Sequence, residues 1–161
     1  VSGPVPSMSN EPVPTAGALE GGCNGEMLYA EVTQAPPAAG QRYAHLTLTN
    51  ETESECKLSG YVGLQLLTAS DRPIPTQAEK LPAPKPTVIT LTPDGSAYAR
   101  LSWTVIPASD EPQEGACADT PALLRVTPPG AKSPTTAGWE LGAVCAHGRI
   151  KVTALQAGPP G

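Results

Sequence analysis

Between Gly40 and Leu67 the chain alternates apolar and polar residues twice, with a polar turn and a cysteine between the two runs. Ala44, Leu46 and Leu48 alternate with Tyr43, His45, Thr47 and Thr49, and Val62, Leu64 and Leu66 carry the second run. A period of two belongs to a strand with one buried and one wet face, so each run predicts a strand, and Asn50 to Glu55 a turn. His45 falls on the polar face of the first run.

The same period recurs on either side. Leu28, Ala30 and Val32 alternate with Met27, Tyr29 and Glu31, and the proline-containing run Ala35 to Gly40 ends this first strand. Cys56 to Leu58 is a short extended piece. Val88, Thr90 and Thr92 alternate with Ile89 and Leu91 before Pro93, Asp94 and Gly95, a turn in which proline fixes φ and glycine takes a positive one. Ala97, Ala99, Leu101, Trp103 and Val105 then alternate with Tyr98, Arg100, Ser102 and Thr104. This is the longest strict alternation, so it predicts a central strand with Trp103 as its main core anchor. Leu123 to Val126, Trp139 to Cys145 and Arg149 to Leu155 read as further short strands, the last with Ile150, Val152 and Ala154 on one face.

Other stretches carry no period. Val1 to Gly22 is rich in proline, serine and glycine and predicts a flexible arm or tether. Asp71 to Pro86 holds five prolines and predicts a long irregular loop. Pro107 to Ala116 is an acidic loop in which Asp110, Glu111 and Glu114 are expected to be solvated, Lys132 to Gly138 is irregular, and residues 157–161 form a tail. No segment has a helical period. The expected architecture is an all-β, immunoglobulin-like antiparallel β-sandwich of about 7–9 strands over residues 23–156, with two disulfides.

Composition narrows the function classes. One domain plus tails fits 161 residues. With 20 prolines, 16 glycines and no phenylalanine, the core must come from Leu, Val, Ile and Ala with few large anchors. A formal net charge of -5 without clustered Lys or Arg leaves nothing to drive phosphate binding, so nucleic acid is not an expected partner. The apolar runs fall far short of the roughly 20 residues of a spanning helix, so no transmembrane segment is expected.

Four cysteines stand at separations of 33, 61 and 28 residues, with no CxxC pair and no zinc spacing. Disulfides are the reading, and they place the chain in an oxidising, extracellular or envelope-anchored setting. Of the three pairings the sequence-adjacent one is favoured, Cys23 with Cys56 and Cys117 with Cys145. Each bridge then closes a loop of about 30 residues, for roughly 3.5 kcal/mol of loop entropy apiece. A redox role would want CxxC or a basic neighbour. The absence of a signal peptide reads as a processed or trimmed form, and a lipid anchor would lie ahead of Val1. Cys23 is not that anchor, since Glu20 stands where a lipoprotein signal wants an aliphatic residue.

Taken in order, Cys23 before the first strand, GQRY then a strand ending in Thr49 and Asn50, Cys56 to Tyr61, GLQLL at Gly63 to Leu67, LTPDGSAYARLSW at Leu91 to Trp103 and VTPPG at Val126 to Gly130 form a recognisable series. The chain resembles the actinobacterial secreted and lipoprotein domain called domain of unknown function 4232, over nearly all of Cys23 to Leu155. It departs in having Val62 after Gly60 and Tyr61, where the family commonly has proline. The resemblance implies a secreted or surface-anchored β-domain and transfers no catalytic residue.

Candidate chemistry is sparse. His45 and His147 could join Met27 or an acidic side chain at a metal, but they sit at unrelated positions and are expected to be a strand-surface and a turn histidine. Ser59, Ser96 and Ser102 lack an elbow motif or a triad order. Glu51, Glu53 and Glu55, like the acidic loop, could hold calcium weakly but read as solvated turns. Asn50, Glu51 and Thr52 match a glycosylation sequon that the implied source makes accidental.

No catalytic, cofactor-binding or metal residue is therefore expected, and the chain is not expected to be an enzyme. The surface candidates are Tyr98 and Arg100 on the outer face of the long strand, and Lys80, Leu81 and Lys85 in the proline-rich stretch. The leading expectation is a non-enzymatic extracytoplasmic interaction module of the cell envelope, binding a protein or an envelope glycan. A secreted hydrolase (protease) inhibitor inserting Asp71 to Pro86 into an active site is the alternative, and an uncharacterised enzyme a third reading.

Overall fold

The computed structural model describes residues 21–160. The expected arm lies outside them except for Gly21 and Gly22, which lie against Lys57: its N–H donates to Gly21 O and its carbonyl accepts the Cys23 N–H. In chain order the strands are β1 (Leu28–Ala38), β2 (Gln41–Asn50), β3 (Cys56–Leu58), β4 (Gly63–Leu67), β5 (Pro73–Ile74), β6 (Gln77–Lys80), β7 (Ile89–Leu91), β8 (Ser96–Thr104), β9 (Leu123–Thr127), β10 (Thr135–Gly138), β11 (Arg149–Val152) and β12 (Gln156–Ala157).

They form a large sheet in the order β1-β2-β8-β11-β6, with β12 also on β8. A second sheet runs β10-β9-β4-β5, and β3 pairs with β7. The fold is all-β, as the period-two runs predict. The long alternation does lie in the middle of the large sheet, since β8 pairs with β2, β11 and β12.

The inward sets of these sheets meet in one core. From the large sheet come Leu46, Leu48, Leu101, Trp103, Ile150 and Val152, and from the others Leu58, Leu66, Leu91, Leu124 and Val126. Apolar area removed from water at roughly 25 cal/mol per Å² is the main stabilising term of such a core. The missing phenylalanine is offset by Trp139, which is fully buried against Trp103, with ring centroids 4.8 Å apart.

Five expectations change. The first strand does not end at Ala35: it runs through Pro36 and Pro37, which an edge strand tolerates, to Ala38, which pairs with Gln41 after a register shift. Asp71 to Pro86 is not one irregular loop: Pro73–Ile74 pairs with β4 and Gln77–Lys80 with β11. The β6–β11 pair is parallel, the one such ladder among the named strands, so the large sheet is mixed. Strand β10 occupies Thr135–Gly138, inside the stretch expected to be irregular, whereas the run from Trp139 to Cys145 is not a strand. There Trp139 donates its indole N–H to Gly142 O at 2.9 Å, and Gly142 turns the chain with φ 84°. The tail starts later than residue 157, because Ala157 pairs with Ala97 and Gly158 N–H donates to Ser96 O.

Both bridges of the sequence-adjacent pairing are present, Cys23–Cys56 and Cys117–Cys145. The first ties the entry of β1 to β3. The second ties the acidic loop to the turn that precedes β11.

Candidate functional site

The outer face of the large sheet is built by the polar halves of the alternating runs. Across β2 and β8 the register sets His45 opposite Arg100, Thr47 opposite Tyr98 and Tyr43 opposite Ser102. Asn50 N–H donates to Gly95 O and, at the other end, Val105 N–H donates to Gly40 O, so by alternation His45–Arg100 and Thr47–Tyr98 are non-hydrogen-bonded pairs, the kind that brings side chains closest. The His45 and Tyr98 rings meet edge to face at 6.0 Å. His45 is thus half-buried on the outer face, its ring set edge to face with that of its diagonal neighbour.

Beside this row, Tyr98 and Arg100 line a groove of about 220 Å³ with Thr153, Gln156, Ala83 and Pro84. Thr153 is buried, and its hydroxyl accepts the Arg100 backbone N–H at 2.9 Å. Its own N–H donates to Arg100 O, so the groove floor is fixed by hydrogen bonds in both directions. The Arg100 side chain is left exposed. Further along, Arg149 and Lys151 line a second hollow of about 190 Å³ with Gln41, Ser102 and Thr104. Arg149 lies 4.0 Å from Glu79, while Arg100 and Lys151 have no carboxylate within that distance among the described residues.

The two surface stretches picked out in the sequence are therefore brought together in part. Ala83 and Pro84, between Leu81 and Lys85, form one wall of the groove whose other wall is Tyr98 and Arg100. Lys85 is exposed next to it in sequence. Lys80 turns elsewhere, with its ammonium 5.5 Å from the centre of the Tyr61 ring. Leu81 is held by its backbone, its N–H donating to Val152 O and its carbonyl accepting the Tyr61 hydroxyl.

The acidic loop has a second cluster that the sequence reading missed. Glu111 is not solvated: its side chain is 7% exposed. One carboxylate oxygen accepts N–H from Ala108 at 2.7 Å and from Ala146 at 2.8 Å, and the other accepts from His147 at 2.8 Å. The Ala108 bond is the main cause that holds its carboxyl below the ordinary glutamate range, working against burial and aided by the His147 and Ala146 bonds. His147 also places Nε2 3.0 Å from Asp110. Ala146 and His147 have left-handed φ of 56° and 61°, a conformation that costs non-glycine residues about 1 kcal/mol or more each. The Glu111 carboxylate, collecting both their amides, is what offsets that strain. Sequence offered only one hint, a histidine just before a glycine after Cys145.

Chemically this cluster is a clasp. His45 stands with Tyr98 and Arg100, and His147 with Asp110 and Glu111, so the two histidines serve different neighbourhoods. Among the described residues no group of three or more His, Cys, Asp or Glu side chains is arranged to hold a metal. The sequon residue Asn50 is fully buried, donating from Nδ2 to Leu91 O and Ser54 O and accepting at Oδ1 from Thr52. It organises the turn after β2 and is closed to modification in the folded chain. Among the described residues no helix is long and apolar enough to cross a membrane.

A family model described as a domain of unknown function (DUF4232) matches residues 23–156. No curated protein and no solved structure matches the chain.

Proposed function

The chain belongs to the DUF4232 family, and we propose that it is a non-enzymatic extracytoplasmic interaction module that holds a protein or an envelope glycan on the outer face of its large sheet. The observation behind this reading is the groove in which Tyr98, Arg100, Thr153 and Gln156 face Ala83 and Pro84. A tyrosine ring offers apolar area with a polar tip, and a guanidinium offers a planar fork of donors. With rigid backbone beneath them, such groups bind hydroxylated or anionic surfaces at low ordering cost. Arg100 and Lys151, free of carboxylate partners among the described residues, give this face a cationic strip in a chain of net charge -5. Two disulfides support the oxidising setting. A secreted or lipid-anchored place in an actinobacterial envelope goes with this reading.

The inhibitor reading is less well supported. The stretch that would enter an active site lies along the sheets, pinned by β5, β6 and the bond from Leu81 N–H to Val152 O. The test is retention of the protein on isolated envelope fragments, with and without protease treatment to separate protein from glycan partners. Retention lost in a Tyr98→Ala, Arg100→Ala double variant that melts like the parent supports the sheet face. Equal retention of parent and variant refutes it.

A further inference from the structure

We propose that the free edge of β1 is a second binding site, which takes an extended peptide with alternating apolar and basic residues from a protein partner as an added strand. This inference does not rest on the sheet-face reading, because it uses another edge of the molecule.

The argument starts from the ladder. Among the described residues, strand β1 pairs on one side only, with β2, and is the terminal strand of its sheet. Glu51 N–H donates to Met27 O, so by alternation Tyr29, Glu31 and Thr33 spend their backbone groups on β2. The backbone groups of Leu28, Ala30, Val32 and Gln34 then point away from the sheet. At the start of the strand this edge is closed: Gly25 N–H donates to Ser133 O, and Leu28 O accepts the Thr135 hydroxyl at 3.2 Å. Beyond Ala30 the edge opens, Val32 being half-buried and Gln34 exposed. A groove of about 410 Å³ lies along Tyr29, Ala30, Glu31, Val32 and Gln34, with Gly138, Glu140 and Leu141 as the opposite wall. Ala30 is buried there, while Val32 and Gln34 are more open and have no backbone partner on that side among the described residues.

An exposed edge of this kind is a template for strand addition, and the flanking side chains decide what is added. Side chains of an incoming strand alternate between the two faces. One set would lie beside Val32 and Leu141, which pack on the core, and calls for apolar residues. The other would lie beside Tyr29 and Glu31 on the outer face. Glu31 and Glu140 are both exposed and have no cation within 4.0 Å among the described residues, so that set calls for Lys or Arg. The same charges argue against a second copy of this chain. It would bring its own Glu31 and a net charge of -5 to the same edge.

The test uses the intact protein and a short peptide alternating valine with lysine, against a twin with glutamate for lysine. Amide resonances are followed by NMR, and affinity by fluorescence anisotropy. The expected result is binding of the lysine peptide with shifts confined to Val32, Gln34 and their neighbours, and about tenfold or more weaker binding of the glutamate twin. Val32→Pro removes an outward N–H and no bond to β2, an exchange that edge strands tolerate. It should abolish binding while leaving the remaining spectrum in place. Equal binding of the two peptides, shifts centred elsewhere, unchanged affinity in Val32→Pro, or dimerisation of the free protein through β1 would each overturn the proposal.

Discussion

The indole rings of Trp103 and Trp139 pack with their centroids 4.8 Å apart and their planes inclined by 48°, yet among the described residues only one of them has a hydrogen-bond partner. Trp139 donates to Gly142 O, whereas the Trp103 Nε1 is buried without a protein acceptor. Their replacement by phenylalanine should therefore differ. Trp139→Phe removes core volume and leaves the Gly142 carbonyl without its donor, while Trp103→Phe removes similar volume and relieves an unmade bond. We expect Trp139→Phe to be the more destabilising by about 1 kcal/mol or more, read from urea midpoints at equal m-value.

Gly148 and Gly142 both hold a positive φ, at 77° and 84°, but only the first is also crowded. A Cβ on Gly148 would fall 1.8 Å from the Pro75 carbonyl oxygen, which is backbone and cannot step aside. A Cβ on Gly142 meets nothing within 4 Å. Gly142→Ala should cost only the conformational penalty of about 1–2 kcal/mol. Gly148→Ala adds an overlap that must move the chain between β5 and β6, for a further ~1–3 kcal/mol. A Gly148→Ala protein melting with the parent would contradict the packing of that turn on Pro75.

These positions show where sequence reading succeeds and where it stops. Strands β2 and β8 were legible because each buries one face along most of its length, so Leu46, Leu48, Leu101 and Trp103 repeat the period often enough to fix it. Strand β1 buries only Leu28 and Ala30, and its run through Pro36 and Pro37 to Ala38 was not legible. Nor were strands β5 and β6. Two and four residues long, they are held by neighbours brought from far along the chain, and all four residues of β6 are exposed. Trp139 looked like part of a strand because a large apolar residue among small ones suits an extended pattern, but its indole bond to Gly142 closes a turn instead. Tyr98 and Arg100 followed directly from alternation. Their partner wall at Ala83 and Pro84 did not, since nothing local says where a proline-rich crossing will lie. Glu111 was misread for the same reason: its amide partners at Ala146 and His147 lie 35 and 36 residues away.

Glu111 should give the protein a specific acid sensitivity. Its carboxyl titrates below the ordinary glutamate range when folded, so the unfolded state binds a proton first as pH falls. The stability it contributes is then fully present above about pH 5 and is lost progressively as pH falls through the ordinary value near 4.3 and on through the lower folded value. Glu111→Gln keeps the size but only one of the two acceptor oxygens, sets an NH2 donor against an amide N–H, and cannot titrate. We expect that variant to be less stable than the parent at pH 7, and the difference to shrink towards pH 3. Urea midpoints across this range, with parallel curves for parent and variant, would count against the carboxylate as the cause.

The two disulfides should differ in what they are coupled to. Each closes a loop of similar length, 33 and 28 residues apart, so the entropic loss on removing either is about the same, roughly 3.5 kcal/mol. Only Cys145 adjoins the turn whose amides bind Glu111, and only Cys117 lies on the same loop as that carboxylate. Removing this bridge frees both sides of the clasp, so part of what Glu111 contributes is lost with it. A double-mutant cycle of Cys117→Ser, Cys145→Ser with Glu111→Gln should show a coupling of about 0.5 kcal/mol or more, whereas Cys23→Ser, Cys56→Ser with Glu111→Gln should be additive to within about 0.5 kcal/mol. A thiol assay in denaturant without reductant should first find no free thiol in the parent, since all four cysteines are paired. Equal coupling of Glu111 to both bridges would mean that the carboxylate acts through overall stability and not through the turn that it holds.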